Sequence, residues 1–329
     1  MRKDKNKNAG TGNANGSKAG SKSGRRVSVA IIGSGFAGMS AALLLGRYLV
    51  DTIVFDGGRT RNSATKHIHG YLGLENISPK KFIEMARHDV SQYRSVRFAR
   101  ARIVRVKNHG EFFSATTADG RTFRSRYVII ATGVKDHKPD IEGFSRFEGN
   151  GAWHCPHCDG FESKGKRLAI IASMSGSISY AKEFLGWTRD ITVIDVGGHL
   201  PPDQKKEAES LGIRTIENDS PVRITGRRGR PSAIICKSGL KCNADVIFYH
   251  LGYEIQNNIA RQLGCELDKD GYVKVDKGQQ TTIQRVHAVG DIDTDRHYVA
   301  LACASGALAA ISIYEDMLKE KIKVLKSNS

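Results

Sequence analysis

An α/β fold of two nucleotide-binding-type domains is what this 329-residue chain predicts, and three observations carry the expectation. Residues 27–32 read as a short, β-branched, buried strand. Gly33-Ser34-Gly35-Phe36-Ala37-Gly38 follows as a Gly-x-Gly-x-x-Gly turn, residues 39–48 form a helix, and a second strand over 52–55 ends at Asp56. The same order returns as a strand over 167–171, a turn over 172–177, a helix over 178–187 and a strand over 191–194 that ends at Asp195. The spacing from Gly33 to Asp56 equals that from Ala172 to Asp195. Two copies of one βαβ unit give two Rossmann-like three-layer domains. The third observation is a pair of late strands. Tyr127-Val128-Ile129-Ile130-Ala131-Thr132-Gly133 runs into a turn, and Val286-His287-Ala288-Val289-Gly290-Asp291 precedes a small-residue helix over about 298–318.

That last piece completes the first domain, so the second domain is an insertion. The boundaries expected are 27–140 with 278–320 for the first domain and 141–277 for the inserted one. Residues 1–26 hold eight basic side chains against Asp4 and nothing apolar to bury, which predicts a disordered tail and no signal peptide. Residues 321–329 read as a basic C-terminal tail.

Net charge is +17, which attracts nucleic acid or acidic proteins. No nucleic-acid motif accompanies it, so a solvated basic surface is the simpler reading. No run of about 18 apolar residues appears, so no membrane span is expected. Six cysteines are too few and too scattered for a secreted framework, and only one pair has a functional spacing, which favours a reducing cytoplasm.

That pair is Cys155-Pro156-His157-Cys158-Asp159-Gly160. Two thiols within one helical turn close a disulfide and so carry two electrons as a unit. Zinc would need four ligands, and no second Cys-x-x-Cys or His-x-x-x-His pair is present, so no metal site is expected. His154 and His157 flank the pair and, protonated, would lower a thiol pKa. Cys236, Cys242 and Cys303 read as structural. In the first turn, Gly33 makes the tight bend, Gly35 lets a pyrophosphate approach the backbone and Gly38 allows close helix packing. The helix start attracts phosphates, and Asp56 accepts a ribose hydroxyl.

With Ala131-Thr132-Gly133 and Gly290-Asp291 added, residues 27 to about 318 resemble the low-molecular-weight thioredoxin reductase type of flavin-dependent disulfide reductase. The resemblance implies FAD held by Gly33, Ser34, Gly35, Gly38, Asp56, Asn62, Thr132, Gly133, Gly290 and Asp291. It implies that Cys158 faces the flavin, that Cys155 meets the substrate in a mixed disulfide, and that Asp159 acts as general acid–base. A homodimer, a swivel between the domains and a thioredoxin-like partner are implied as well.

Two departures matter. A nicotinamide-binding version of the second unit would have Gly at 172 and 174, and a basic cluster after its second strand. This chain has Ala172, Met174 and Asp195-Val196-Gly197, so NAD(P)H is not expected to bind in the usual way. The electron donor is then NAD(P)H bound atypically or a ferredoxin-type protein. The second departure is Arg61-Asn62 with His67-Ile68-His69-Gly70-Tyr71-Leu72-Gly73. It is similar to a side branch that includes dithiol oxidases acting on small molecules, which return electrons to oxygen. Those oxidases often carry His where this chain has Asp159, as the reductases do. An oxygen-dependent oxidase of a small dithiol or peptide is thus the alternative, with a flavin-binding redox sensor as a third reading. His67 and His69 line the flavin or cap a loop, and the sequence leaves both open.

Overall fold

The computed structural model describes residues 26–58, 60–173 and 176–328. The expectations for the tail up to residue 25 and for Met174 lie outside the described residues. The first domain opens with β1 (Arg26–Ile32), α1 (Phe36–Arg47), β2 (Thr52–Asp56), α2 (Pro79–Ser91) and β3 (Val96–Arg100). A meander follows, β4 (Ile103–Asn108), β5 (Phe113–Thr117) and β6 (Thr122–Ile130). In the sheet the order is β3-β2-β1-β6-β5-β4, parallel among β3, β2, β1 and β6. β1 is central, so Val29, Ala30 and Ile31 are buried on both faces and the strand reads as a continuous apolar run.

The chain leaves this domain along β7 (Val134–Asp136) and builds a second sheet from β8 (Ala152–Trp153), β9 (Leu168–Ala172), β10 (Ile191–Asp195), β11 (Arg214–Glu217) and a later strand, Val246–His250. The redox segment is a short helix, α3 (Pro156–Asp159), just after β8; α4 (Ser177–Lys182) and α5 (Pro202–Ser210) follow β9 and β10. A three-stranded antiparallel unit, β12 (Pro221–Arg227), β13 (Arg230–Cys236) and β14 (Lys241–Asn243), precedes β15, the Val246–His250 strand. The five-stranded order is β11-β10-β9-β15-β8.

The return comes earlier than residue 278. β16 (Tyr253–Ile255) pairs antiparallel with β7, so the two crossings form one ribbon between the domains. α6 (Asn258–Leu263) then buries Ile259, Ala260 and Leu263 in the same core as Val27, Ile53, Phe113 and Ile130. Ile255, Ile259 and Leu263 recur at four-residue spacing, and that apolar face assigns residues 253–277 to the first domain, despite the glycines and charges beyond it.

β17 (Val286–Ala288) joins β6, and α7 (Val299–Ser327) closes the domain. The expected tail from residue 321 is therefore helical as far as Ser327. Its lysines alternate with Leu318, Ile322 and Leu325, which continue the helical period. Arg26 likewise belongs to β1, paired with Arg124. α7 is long and apolar enough by length and composition to cross a membrane. Its Ala302, Gly306, Ala309, Ala310 and Ile313 are nonetheless buried in this domain. Gly306 is required there, since a Cβ would lie 2.1 Å from the Ala37 carbonyl oxygen of α1.

Candidate active site

A cavity of about 1030 Å³ opens where the C-terminal ends of β1, β2 and β6 face α3, the position at which open α/β sheets bind ligands. Gly33, with φ +118°, bends so tightly that a Cβ would meet the Ala131 carbonyl oxygen at 2.2 Å. Gly38 lets α1 approach the turn, where a Cβ would lie 2.1 Å from the Gly33 carbonyl oxygen. Gly35, between them, has open space above it. The backbone is thus exposed to the cavity at the start of a 12-residue helix whose first amides have no intrahelical partner and no side-chain cap.

Asp56 ends β2 and accepts hydrogen bonds from the Gly58 amide at 2.9 Å and Arg87 Nη2 at 2.6 Å. Burial works to raise its pKa, but the hydrogen bonds from Gly58, Arg87 and Ser34 outweigh it and hold the carboxylate ionised. Arg87 lies over the Phe98 ring at 4.7 Å. At the far end Asp291 accepts from Arg61 Nη1 at 3.0 Å, and Gly290 beside it takes φ +78°. Thr132 donates its hydroxyl to the Gln256 carbonyl at 2.7 Å, next to Gly133 at φ +64°. Asn62 lines the wall from a short turn, Arg61–Ala64. Gln256 Nε2 is buried on this wall without a partner among the described residues.

These features fit FAD. An open glycine backbone and helix start suit a pyrophosphate, the carboxylates of Asp56 and Asp291 suit hydroxyls at the two ends, and the length of the cavity reaches the thiols. The structure brings nine of the ten sequence-predicted cofactor residues around this one space; Gly38 packs beneath the turn instead.

The redox pair closes the cavity. Cys155 is the residue before α3, Pro156 presets the first helical φ, and Cys155 and Cys158 form a disulfide with Cα atoms 5.3 Å apart. The Cys158 amide donates to Cys155 Sγ at 3.1 Å. Gly160 allows the segment to pack on the second domain, since a Cβ there would meet the Trp187 ring at 2.5 Å. Asp159 is 8% exposed. Burial pushes its carboxyl up to about 7, Glu162 adds to the rise and His69 opposes it.

Of the two flanking histidines, His154 does not supply the positive charge its position suggested. His154 Nε2 lies 3.6 Å from Asp136 Oδ2, yet burial lowers its pKa, with Arg61 and Lys138 adding to the effect, and favours the neutral ring. His157 Nε2 lies 3.1 Å from Glu183 Oε2. Cys236, Cys242 and Cys265 are buried, and Cys303 is half-buried. Burial, first of all, pushes the Cys236 thiol up to about 11, an inert state.

The second turn is differently built. Ala172 ends β9 and is fully buried. Asp195 is 4% exposed and accepts the Gly197 amide at 3.1 Å, the same local turn that Asp56 makes with Gly58. Unlike Asp56, it offers no exposed carboxylate to a ribose. Beside this unit Tyr180 stacks on His250 with ring centroids 4.5 Å apart.

Arg61, Arg87 and Asp136 were not singled out as functional. Arg61 stood in the Arg-Asn pattern, but its partners are distant in the chain, and no local spacing points to them.

The model of the pyridine nucleotide-disulphide oxidoreductase family matches residues 27–307. A thioredoxin reductase of Claviceps purpurea, tcpT, is 29% identical over 86% of this chain and 92% of its own length. The thioredoxin reductase of Helicobacter pylori is 28% identical over 87% of this chain and 97% of its own. Among solved structures, HlmI superposes with a TM-score of 0.86 at 25% identity, covering 94% of this chain and 97% of HlmI.

Proposed function

Because the chain belongs to the pyridine nucleotide-disulphide oxidoreductase family and is a thioredoxin reductase-like FAD oxidoreductase, we propose that it passes two electrons between flavin and a thioredoxin-like protein disulfide through Cys155 and Cys158. The observation that carries this reading is that the disulfide opens into the cavity formed by the Gly33–Gly38 turn. FAD supplies a two-electron store when bound. Everything else is the work of side chains.

In the reducing direction Cys155, as thiolate, attacks one sulfur of the partner disulfide and forms a mixed disulfide. The displaced partner thiolate takes a proton from Asp159, whose buried carboxyl, raised to about 7, is still partly protonated near neutrality. Cys158 then attacks Cys155 and releases the second partner sulfur, which receives the Cys158 proton. The partner leaves as a dithiol, and Cys155–Cys158 is again a disulfide. Access to a protein substrate requires the inserted domain to turn on the β7–β16 ribbon. A homodimer in the cytoplasm is the assembly proposed, and the exposed Leu301, Leu308, Ile311, Leu318, Ile322 and Leu325 of α7 support it.

The buried Asp195 favours a second reading, an oxygen-dependent oxidase of a small dithiol, because it leaves the nicotinamide route without a ribose anchor. Asp159 favours the reductase. One anaerobic stopped-flow experiment separates them: mix the FAD-loaded protein with NADPH, NADH or a dithiol and follow flavin bleaching. Bleaching by a nicotinamide, followed by reduction of thioredoxin, supports the reductase. Bleaching by dithiol alone, with peroxide formed on admitting air, supports the oxidase. Bleaching by none of them overturns both donor schemes and leaves a ferredoxin-type donor to be tried.

A further inference from the structure

We propose that His69, carried by the first domain, is a positioning residue that sets the charge of Asp159 across the domain boundary. The proposal rests on the reading of Asp159 as the proton donor of the thiol site. The loop that bears His69 is held by its own backbone: the Ile68 amide donates to Ile77 at 2.8 Å and the Asn76 amide donates to Ile68 at 2.9 Å. Within it Glu75 acts as a clamp. One carboxylate oxygen meets His69 Nδ1 at 2.7 Å and the other accepts the Gly70 amide at 2.8 Å. With Nδ1 held, the opposite nitrogen is aimed at the redox segment, and Nε2 lies 3.9 Å from Glu162 Oε1. Glu162 sits in the short turn directly after Asp159.

Asp159 therefore stands between two groups whose influences on it are opposed. An imidazolium at His69 favours its carboxylate, and Glu162 favours its acid form. The phenols of Tyr180 and Tyr249 also face Asp159, and neither carries charge near neutral pH. His69 is itself faced by Glu75, Glu162 and the His67 ring, whose centroid is 6.2 Å away. Since His69 and Asp159 belong to different domains, this control exists in the arrangement in which the thiols face the cavity.

The test titrates Asp159 in the oxidised, FAD-loaded protein by infrared difference spectroscopy, with its band assigned by loss in Asp159→Asn. His69→Gln is expected to move the titration up by about one pH unit, and Glu162→Gln to move it down by a similar amount. Glu75→Gln, which loosens the imidazole, is expected to shift it in the His69→Gln direction by less. An unchanged titration in His69→Gln, shifts of equal sign in His69→Gln and Glu162→Gln, or no Asp159 band between about pH 5 and 9 would each overturn the proposal. Should His69→Gln fail to fold, Glu75→Gln decides, by moving the titration up or leaving it in place. The readout needs no turnover. Failure of the wild-type protein to exchange electrons with any dithiol or disulfide would sink the functional reading while leaving this measurement intact.

Discussion

Arg61 grips Asp136 through two parallel hydrogen bonds, Nε to Oδ2 at 2.8 Å and Nη2 to Oδ1 at 2.6 Å. Its third arm reaches Asp291 at 3.0 Å. One guanidinium thereby ties the cofactor wall to β7, the strand that leads into the inserted domain, with side chains 14%, 11% and 18% exposed. Removing it strands two carboxylates that are largely shielded from water. Arg61→Ala should cost about 3–5 kcal/mol and weaken FAD retention. Arg61→Lys should fall between, because an ammonium cannot make the fork. Denaturant melts of the FAD-loaded protein, with flavin fluorescence reporting release, check both. A loss under about 1 kcal/mol in Arg61→Ala would mean the bridge is only a surface pair.

The two βαβ units were legible because each depends on neighbours in sequence: the strand, the glycines of the turn and the acid lie within one short span. The redox pair was legible for the same reason. Arg61 with Asp136, His69 with Glu162 and Arg87 with Asp56 were not, since only tertiary folding brings them together. Burial was the other missing quantity. Asp56 and Asp195 read alike as acids ending a second strand, yet one faces the cavity and the other is enclosed. His154 looked like a cation beside a thiol until its burial was known. At residue 321 the lysines masked an apolar period that runs on in α7.

Cys155 and Cys158 differ in placement, and their roles should separate. Cys155 precedes α3 and receives the Cys158 amide at its sulfur, an arrangement that stabilises a thiolate. Cys155→Ser should leave Cys158 to give the long-wavelength thiolate–flavin charge-transfer band on reduction, and Cys158→Ser should lack it. Absorbance spectra of the two reduced variants decide. The opposite pattern would reverse the roles assigned to the two thiols.

Asp195, enclosed and already accepting the Gly197 amide, bears on the electron donor. Flavin bleaching by NADPH and by NADH should go to completion but slowly, as for a nucleotide held without an exposed acid. Gly at positions 172 and 174 with Arg at 196 and 197 should accelerate the NADPH reaction. Anaerobic stopped flow reads all of these rates. Rapid bleaching of the unaltered protein by NADPH would show that this domain binds the nucleotide without an exposed acid or the usual glycines.

Asp159 should leave a mark on stability as well as on rate. Burial raises its folded-state carboxyl to about 7 from an ordinary 3.8. Between those values the folded protein holds a proton that the unfolded chain has released, so stability falls as pH rises through that window and levels off above it. Asp293 is also pushed up to about 7 by burial, with Asp291 adding to the rise, while burial lowers the His287 imidazole to about 4 and works the other way, so Asp159 is read from the difference between variant and wild type. Asp159→Asn removes one share. The variant should gain stability over wild type at about pH 8, with a ceiling of about 4 kcal/mol at 1.36 kcal/mol per pKa unit, and the gain should shrink towards about pH 4. Its proton-donating step should also lose the decline that wild type shows above about pH 7. Chemical denaturation at the two pH values, paired with the pH profile of mixed-disulfide resolution, checks both halves. A stability difference that does not change with pH would mean Asp159 titrates where exposed carboxylates do and is not a proton donor near neutrality.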